Sequence, residues 1–205
     1  MKIKINVSDG KNVFFISDFH IGHSNVIKFD NRPFLDKYGN PDLQAMYKTI
    51  IANWNDVVKT NDIVFYLGDL VFGRPETANE LIWALNGKIH FVMGNHDEYK
   101  DIVELKRFET VNDLVDLTIK GDPNHKELFF QLLHYPIFSH RNASHGWYHI
   151  HGHCHGNLHH GDTRSYYNNR RAIDVGCNVI NYTPISYKDV VLKLGGIFME
   201  KEKRK

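Results

Sequence analysis

Five short apolar runs in this chain each stop at a small polar cluster, and this repeated arrangement constrains the fold more than any other feature. Val13–Ser17 (VFFIS) runs into Asp18-Phe19-His20, and Ile63–Leu67 (IVFYL) runs into Gly68-Asp69. Ile89–Met93 (IHFVM) meets Gly94-Asn95-His96-Asp97, Glu127–Leu133 meets His134, and Trp147–His151 meets Gly152-His153-Cys154-His155-Gly156. Runs this short, rich in β-branched and aromatic residues, read as buried strands. Packing explains the apolar runs but not the polar residues at their ends. Open α/β sheets present ligand-binding groups at strand ends.

Helical patterns separate the first three runs. Pro41–Val58 carries Leu43, Met46, Ile50 and Trp54 on one stripe. Pro75–Leu85 reads as a second helix, with Pro75 in its first turn and Gly87 as its breaker. Strand, helix, strand, helix, strand predicts a layered α/β architecture. Further on, Val111–Ile119 and Glu127–Leu133 read as strands joined by a turn at Gly121-Asp122-Pro123-Asn124. Trp147–His151 and Ala172–Val175 read as more strands. Ser186–Leu194 reads as a last helix capped by Ser186, followed by a charged, frayed tail at Lys201–Lys205. With 205 residues and 42% hydrophobic content, one domain spanning 1–205 is expected.

Charge and cysteine content narrow the function classes. A formal net charge of +1 gives no global field for nucleic acid or membranes, although a local basic groove is compatible with it. Two cysteines, Cys154 and Cys177, cannot build a disulfide framework for a chain of this size. No signal peptide or membrane span is read, so a cytoplasmic, non-membrane protein with reduced thiols is expected. Histidine is the unusual number: 14 in all, eight of them between His140 and His160. Histidine is the commonest metal ligand.

The polar clusters have the composition of a metal site. Asp18 and His20 are two residues apart, as are His153 and His155, and in extended backbone such pairs project to one side. By the same alternation Cys154 points away. Gly68 allows a sharp turn that exposes Asp69, whose two carboxylate oxygens can bridge two cations. Asn95 adds a neutral oxygen. A set of nitrogen and oxygen donors favours Mn, Fe, Zn or Ni over a cysteine-type structural zinc. Capping and turn chemistry is the bland alternative for any one cluster.

Taken in order, Asp18-x-His20, Gly68-Asp69, Gly94-Asn95-His96-Asp97, His134 and Gly152-His153-x-His155 resemble the motifs of the calcineurin-like metallophosphoesterases. A softer likeness continues through Asp174–Asn178 and Tyr182–Ser186. The resemblance implies two packed mixed β-sheets flanked by helices, with the site at one end. It implies that Asp18, His20 and His155 hold one divalent metal, that Asn95, His134 and His153 hold a second, and that Asp69 bridges them. His96 would face the leaving group as general acid. A metal-bridging hydroxide would be the nucleophile, the metals lying about 3.5–4 Å apart. The family often has Gly-Asp-x-x-Asp, whose second Asp orients the catalytic histidine; here that position is Phe72.

His23 reads as a substrate contact, a supporting group or a plain loop histidine. Arg32, in Asn31-Arg32-Pro33-Phe34, reads either as a phosphate-binding guanidinium or as part of a rigid surface turn. The basic, aromatic segment 157–171 could stack a base and contact phosphates, or could be a solvated excursion. The expected function is hydrolysis of a small phosphate mono- or diester, with nucleotides among the candidates. A DNA or RNA nuclease is the alternative, not favoured by the neutral charge, and a non-catalytic binding scaffold on the same fold is a third reading.

Overall fold

A computed structural model of the chain describes residues 1–158 and 171–194. In chain order its elements are β1 (Lys2–Asn6), β2 (Val13–Ile16), α1 (Val26–Phe29), α2 (Leu43–Val57), β3 (Ile63–Tyr66), α3 (Asn79–Ala84), β4 (Lys88–Val92), α4 (Tyr99–Glu104), β5 (Phe108–Asn112), β6 (Leu114–Asp122), β7 (His125–Leu133), β8 (Tyr148–His151), β9 (Ala172–Asp174), β10 (Ile185–Ser186) and α5 (Tyr187–Lys193). They form two mixed five-stranded sheets flanked by helices, which is the layered α/β class expected. The outer sheet has the order β1-β6-β7-β8-β9, and the central sheet β10-β2-β3-β4-β5. Strands β2 to β5 run parallel, with β10 antiparallel at the edge.

The continuous apolar runs follow from coverage on both faces. Val13 and Phe15 of β2 pack with Phe65, Leu117 and Phe130 between the sheets. Phe14 and Ile16 point the other way, into a core with Met46, Ile50 and Trp54 of α2. Helix α2 starts where the Asp42 carboxylate accepts the Ala45 N–H at 2.9 Å. Trp54 is fully buried and its indole N–H donates to the Asn86 carbonyl at 2.9 Å. Its truncation to alanine would cost about 3–5 kcal/mol.

Three expectations are corrected. The run Val111–Ile119 is not one strand: it breaks at exposed Asp113, so that β5 edges the central sheet while β6 enters the outer one. A period of two reads the same in either sheet, so the pattern cannot mark the crossover. Pro75–Leu85 opens as a 3-10 turn, Pro75–Ala78, before α3. Strand β1 was not expected, although its Lys-Ile-Lys-Ile-Asn alternation carries the signal; it pairs parallel to β6. The Ser186 cap is present, its hydroxyl accepting the Asp189 N–H at 3.1 Å. The tail at 201–205 lies outside the described residues. Among those described, no helix is long and apolar enough to cross a membrane.

Candidate metal centre

The polar clusters converge where the carboxyl ends of β2, β3, β4, β7 and β8 meet. Their convergence does not come from extended backbone. Asp18, His20, Asp69, His153 and His155 all have positive φ, at 62°, 51°, 56°, 67° and 49°. The i, i+2 argument from strand alternation is therefore wrong in its reason: these pairs sit on left-handed turns, which turn both side chains inward. Cys154 is corrected with it, for it lines the same cavity. Non-glycine residues held this way cost on the order of 1–3 kcal/mol each and cluster at functional sites.

Hydrogen bonds across the sheet impose those turns. The Asp18 N–H donates to the Gly68 carbonyl at 3.0 Å, and the His20 N–H to the Asp69 carbonyl at 3.1 Å. The Asp97 carboxylate accepts the N–H groups of Asp69, Leu70 and Gly94 at 2.7, 2.9 and 2.8 Å. Asp174 does the same for the last cluster, accepting from Gly156 at 2.9 Å and Gly176 at 2.8 Å. Glycine is required by contact at several of these positions, Gly68 among them. A Cβ on Gly94 would collide with the Asp69 carboxylate, and one on Gly152 with Asp18 and Ser17.

The donors divide into two groups. Ligand atoms of Asp18, His20 and His155 lie within 4.8 Å of one another, and so do those of Asp69, His134 and His153. Asn95 joins the second group, its Oδ1 lying 3.1 Å from His134 Nε2 and 2.9 Å from His153 Nδ1. Asp69 Oδ2 stands between the groups, 3.6 Å from His20 Nε2 and 3.5 Å from His134 Nε2. All seven residues predicted as ligands are thus brought together, with Asp69 in the middle.

Charge and tautomer suit cations. Burial pushes the Asp18 carboxyl up to about 7, against the pull of His155, His134 and the Ser17 hydroxyl. Burial also raises Asp69, but His134, the His96 N–H and His20 outweigh it and hold that carboxyl down at about 2. Burial drops the His20 imidazole to about 3, so it is neutral, and its Nδ1 is buried without a hydrogen-bond partner. His134 Nδ1 faces the Leu67 carbonyl at 2.7 Å and must donate there, which leaves a lone pair on the neutral ring's Nε2 toward Asp69. His155 Nδ1 faces Asp30 at 2.6 Å, leaving Nε2 toward Asp18 and His20. Burial lowers the His134 ring, yet Asp69, Asp18 and the Leu67 carbonyl raise it to about 9. A cation at this point would take the place of that proton. The described residues therefore include two groups that could hold metal ions.

The other expected residues are placed as follows. His96 lines the cavity with its ring 5.4 Å from that of His20, while its backbone N–H donates to Asp69 Oδ1 at 2.9 Å. His23 also lines the cavity; its Nδ1 accepts the Val26 N–H at 3.0 Å. Phe72 lies between these two histidines, with ring centroids 4.2 Å from His23 and 5.8 Å from His96. Arg32 is corrected as a phosphate-binding group, while the surface-turn reading holds for Asn31 and Pro33, exposed on either side of it. Arg32 itself is only 2% exposed, and its guanidinium binds Asp30 at 2.8 Å and the Asp18 and Phe19 carbonyls at 3.0 and 3.1 Å. It props the wall behind His155, with no free fork for phosphate. Asp30, Asp97 and Asp174 were missed; the Asp30-Asn31-Arg32 spacing was the available hint for the first. Of the 157–171 loop, 159–170 lies outside the described residues.

No family model matches the chain. It is 37% identical to the uncharacterized protein MJ1445 of Methanocaldococcus jannaschii over 190 residues, covering 90% of this chain and 91% of that one. The gene 66 protein of Mycobacterium phage D29 is 31% identical over 103 residues, 47% of each chain. Among solved structures, the protein of unknown function AQ665 from Aquifex aeolicus superposes with a TM-score of 0.66 at 24% identity, over 90% of this chain and all of that one, which shows a shared fold. At this identity and coverage, the chain belongs to the family of the archaeal protein MJ1445.

Proposed function

We propose that this chain is a two-metal phosphoester hydrolase of the calcineurin-like type, acting on small phosphate mono- or diesters. The observation that carries the reading is the position of Asp69 Oδ2, 3.6 Å from His20 Nε2 and 3.5 Å from His134 Nε2, with a donor group on either side. Asp18, His20 and His155 would hold one divalent transition ion (Mn, Fe, Zn or Ni), Asn95, His134 and His153 the other, and Asp69 both. Such ions supply Lewis-acid charge at both ends of an in-line displacement and make water a competent nucleophile near neutral pH.

The remaining chemistry belongs to the chain. His96 lies at the rim, bonded to the Asp69 carboxylate only through its backbone, so its imidazole is available to a substrate oxygen. As the water oxygen bonds to phosphorus and the P–O ester bond breaks, the His96 imidazole passes a proton to the departing oxygen. Phe72 packs beside that ring where a carboxylate would orient it, so packing rather than an ion pair positions His96. No Lys or Arg is among the described residues that line the cavity, which speaks against a long nucleic-acid track.

The test is metal reconstitution followed by generic mono- and diester assays. Purified protein should bind about two ions and hydrolyse at least one ester class. His96→Ala should retain the ions and lose about 10²–10⁴-fold in turnover. Stoichiometric metal with no hydrolysis across Mn, Fe, Zn and Ni would overturn the enzymatic reading.

A further inference from the structure

The cavity over the donor groups has one wall that metal chemistry does not explain. The cavity measures about 330 Å³, within the range of small-ligand pockets. Phe29, His23 and His96 line one side of it, and Phe72, outside the lining, packs between the two histidines. Phe29, at the end of α1, is 72% exposed and lies 6.0 Å from His23; His23 lies 4.2 Å from Phe72, and Phe72 lies 5.8 Å from His96. Phe72 is itself 45% exposed. Single exposed apolar side chains are ordinary, and the rings stand at 70° and 54° to one another, so they make no flat wall; the exposed Phe29 ring offers one face, beside His23, to a planar ligand at the rim of the polar site. His23 adds direction. Its Nδ1 accepts the Val26 N–H, so Nε2 carries the proton of the neutral ring and offers a donor at this wall.

We propose that Phe29 and His23 form a base-binding wall, and that the substrates are phosphoesters of a single nucleoside. This rests on the phosphoester reading above and names its substrate class. Stacking on such rings is sequence-tolerant because every base has a π face. A polynucleotide fits less well, for none of the described lining residues is a lysine or arginine that would follow a strand's phosphates.

The test uses matched esters with and without the base: nucleoside 5′-phosphates against ribose 5-phosphate, and the methyl diesters of both. The leaving oxygen is the same within each pair, so the base alone separates them. The parent protein should show a KM about tenfold lower for the nucleoside member. In the variant Phe29→Leu, which keeps apolar bulk at an exposed position and leaves the packing of Phe72 on His96 untouched, that ratio should fall toward one. Equal KM values in the parent, or a ratio unmoved in the variant, would overturn the wall while leaving the hydrolase intact. The hydrolase reading fails separately, if no ester is turned over; calorimetry with a nucleoside 5′-methylenephosphonate then still reads the wall through its loss of affinity in the variant. Tighter, steeply salt-dependent binding of a single-stranded oligonucleotide would overturn the single-nucleoside assignment.

Discussion

The two donor groups are built differently, although each draws on both sheets. Asp18 and His20 come from the central sheet and His155 from the loop after β8 of the outer one. This group is walled in: Asp18 is fully buried, His20 is 5% exposed, and His155 is backed by Asp30, which is held in turn by Arg32. In the second group Asp69 and His134 are buried, but His153 and Asn95 lie exposed at the rim. The closed group is held by charge-backed partners, and the open one by groups that solvent reaches. The contrast predicts one tightly held ion and one that exchanges, and it identifies Asp69 as the link between them.

The largest effect is therefore expected at Asp69. Asp69→Asn should abolish hydrolysis, by more than about 100-fold, and leave fewer than one ion per chain by elemental analysis. Retention of one ion with native affinity would show that the groups do not share this carboxylate. Next come the outer histidines. His153→Ala should leave one ion bound and His155→Ala should weaken both, read by graded chelation of loaded protein; equal loss from the two variants would erase the contrast. Asp30→Asn removes only the backing of His155. It should lower metal affinity about 10–100-fold without unfolding the chain, with circular dichroism as the control.

The smallest effect is on stability against pH in the metal-free chain. His134 is raised from 6.5 to about 9, and His155 is also raised, its burial outweighed by Asp30 and Asp18. A raised histidine contributes stability that is complete below its unfolded value and is lost as the pH passes its folded one. The metal-free thermal midpoint should then fall as pH rises from about 6.5 to 9, each group contributing up to about 1.4 kcal/mol per pH unit. Loaded protein should not show this alkaline limb, since cations stand where those protons were. A limb of equal slope in both forms would separate these histidines from metal binding.

Much of this was legible in the chain. The apolar runs marked the strands of the central sheet because burial on both faces leaves no polar alternation. The stripe through Met46, Ile50 and Trp54 marked α2, and Ser186 marked the start of α5. The break at Asp113 was not legible, because both sides of it carry the same strand pattern. Within the centre, the donors were legible as residue types after strands, while their supports were not. Asp30 and Asp97 are ordinary loop carboxylates until the fold puts one on His155 Nδ1 and the other on three backbone N–H groups.

The sequence by itself determined which residues could be donors, where the strands carrying them end, and that a phenyl ring at Phe72 stands where a carboxylate could have been. The resemblance implied how the donors divide, but only the tertiary structure brings each group together from two sheets, as with Asp18 Oδ1 and His155 Nε2, more than a hundred positions apart in the chain and 3.5 Å apart in space. The tertiary structure also decided that Arg32 is a prop and that the paired ligands sit on left-handed turns. Those outcomes depend on cross-sheet hydrogen bonds and burial, and neither is encoded in spacing along the chain.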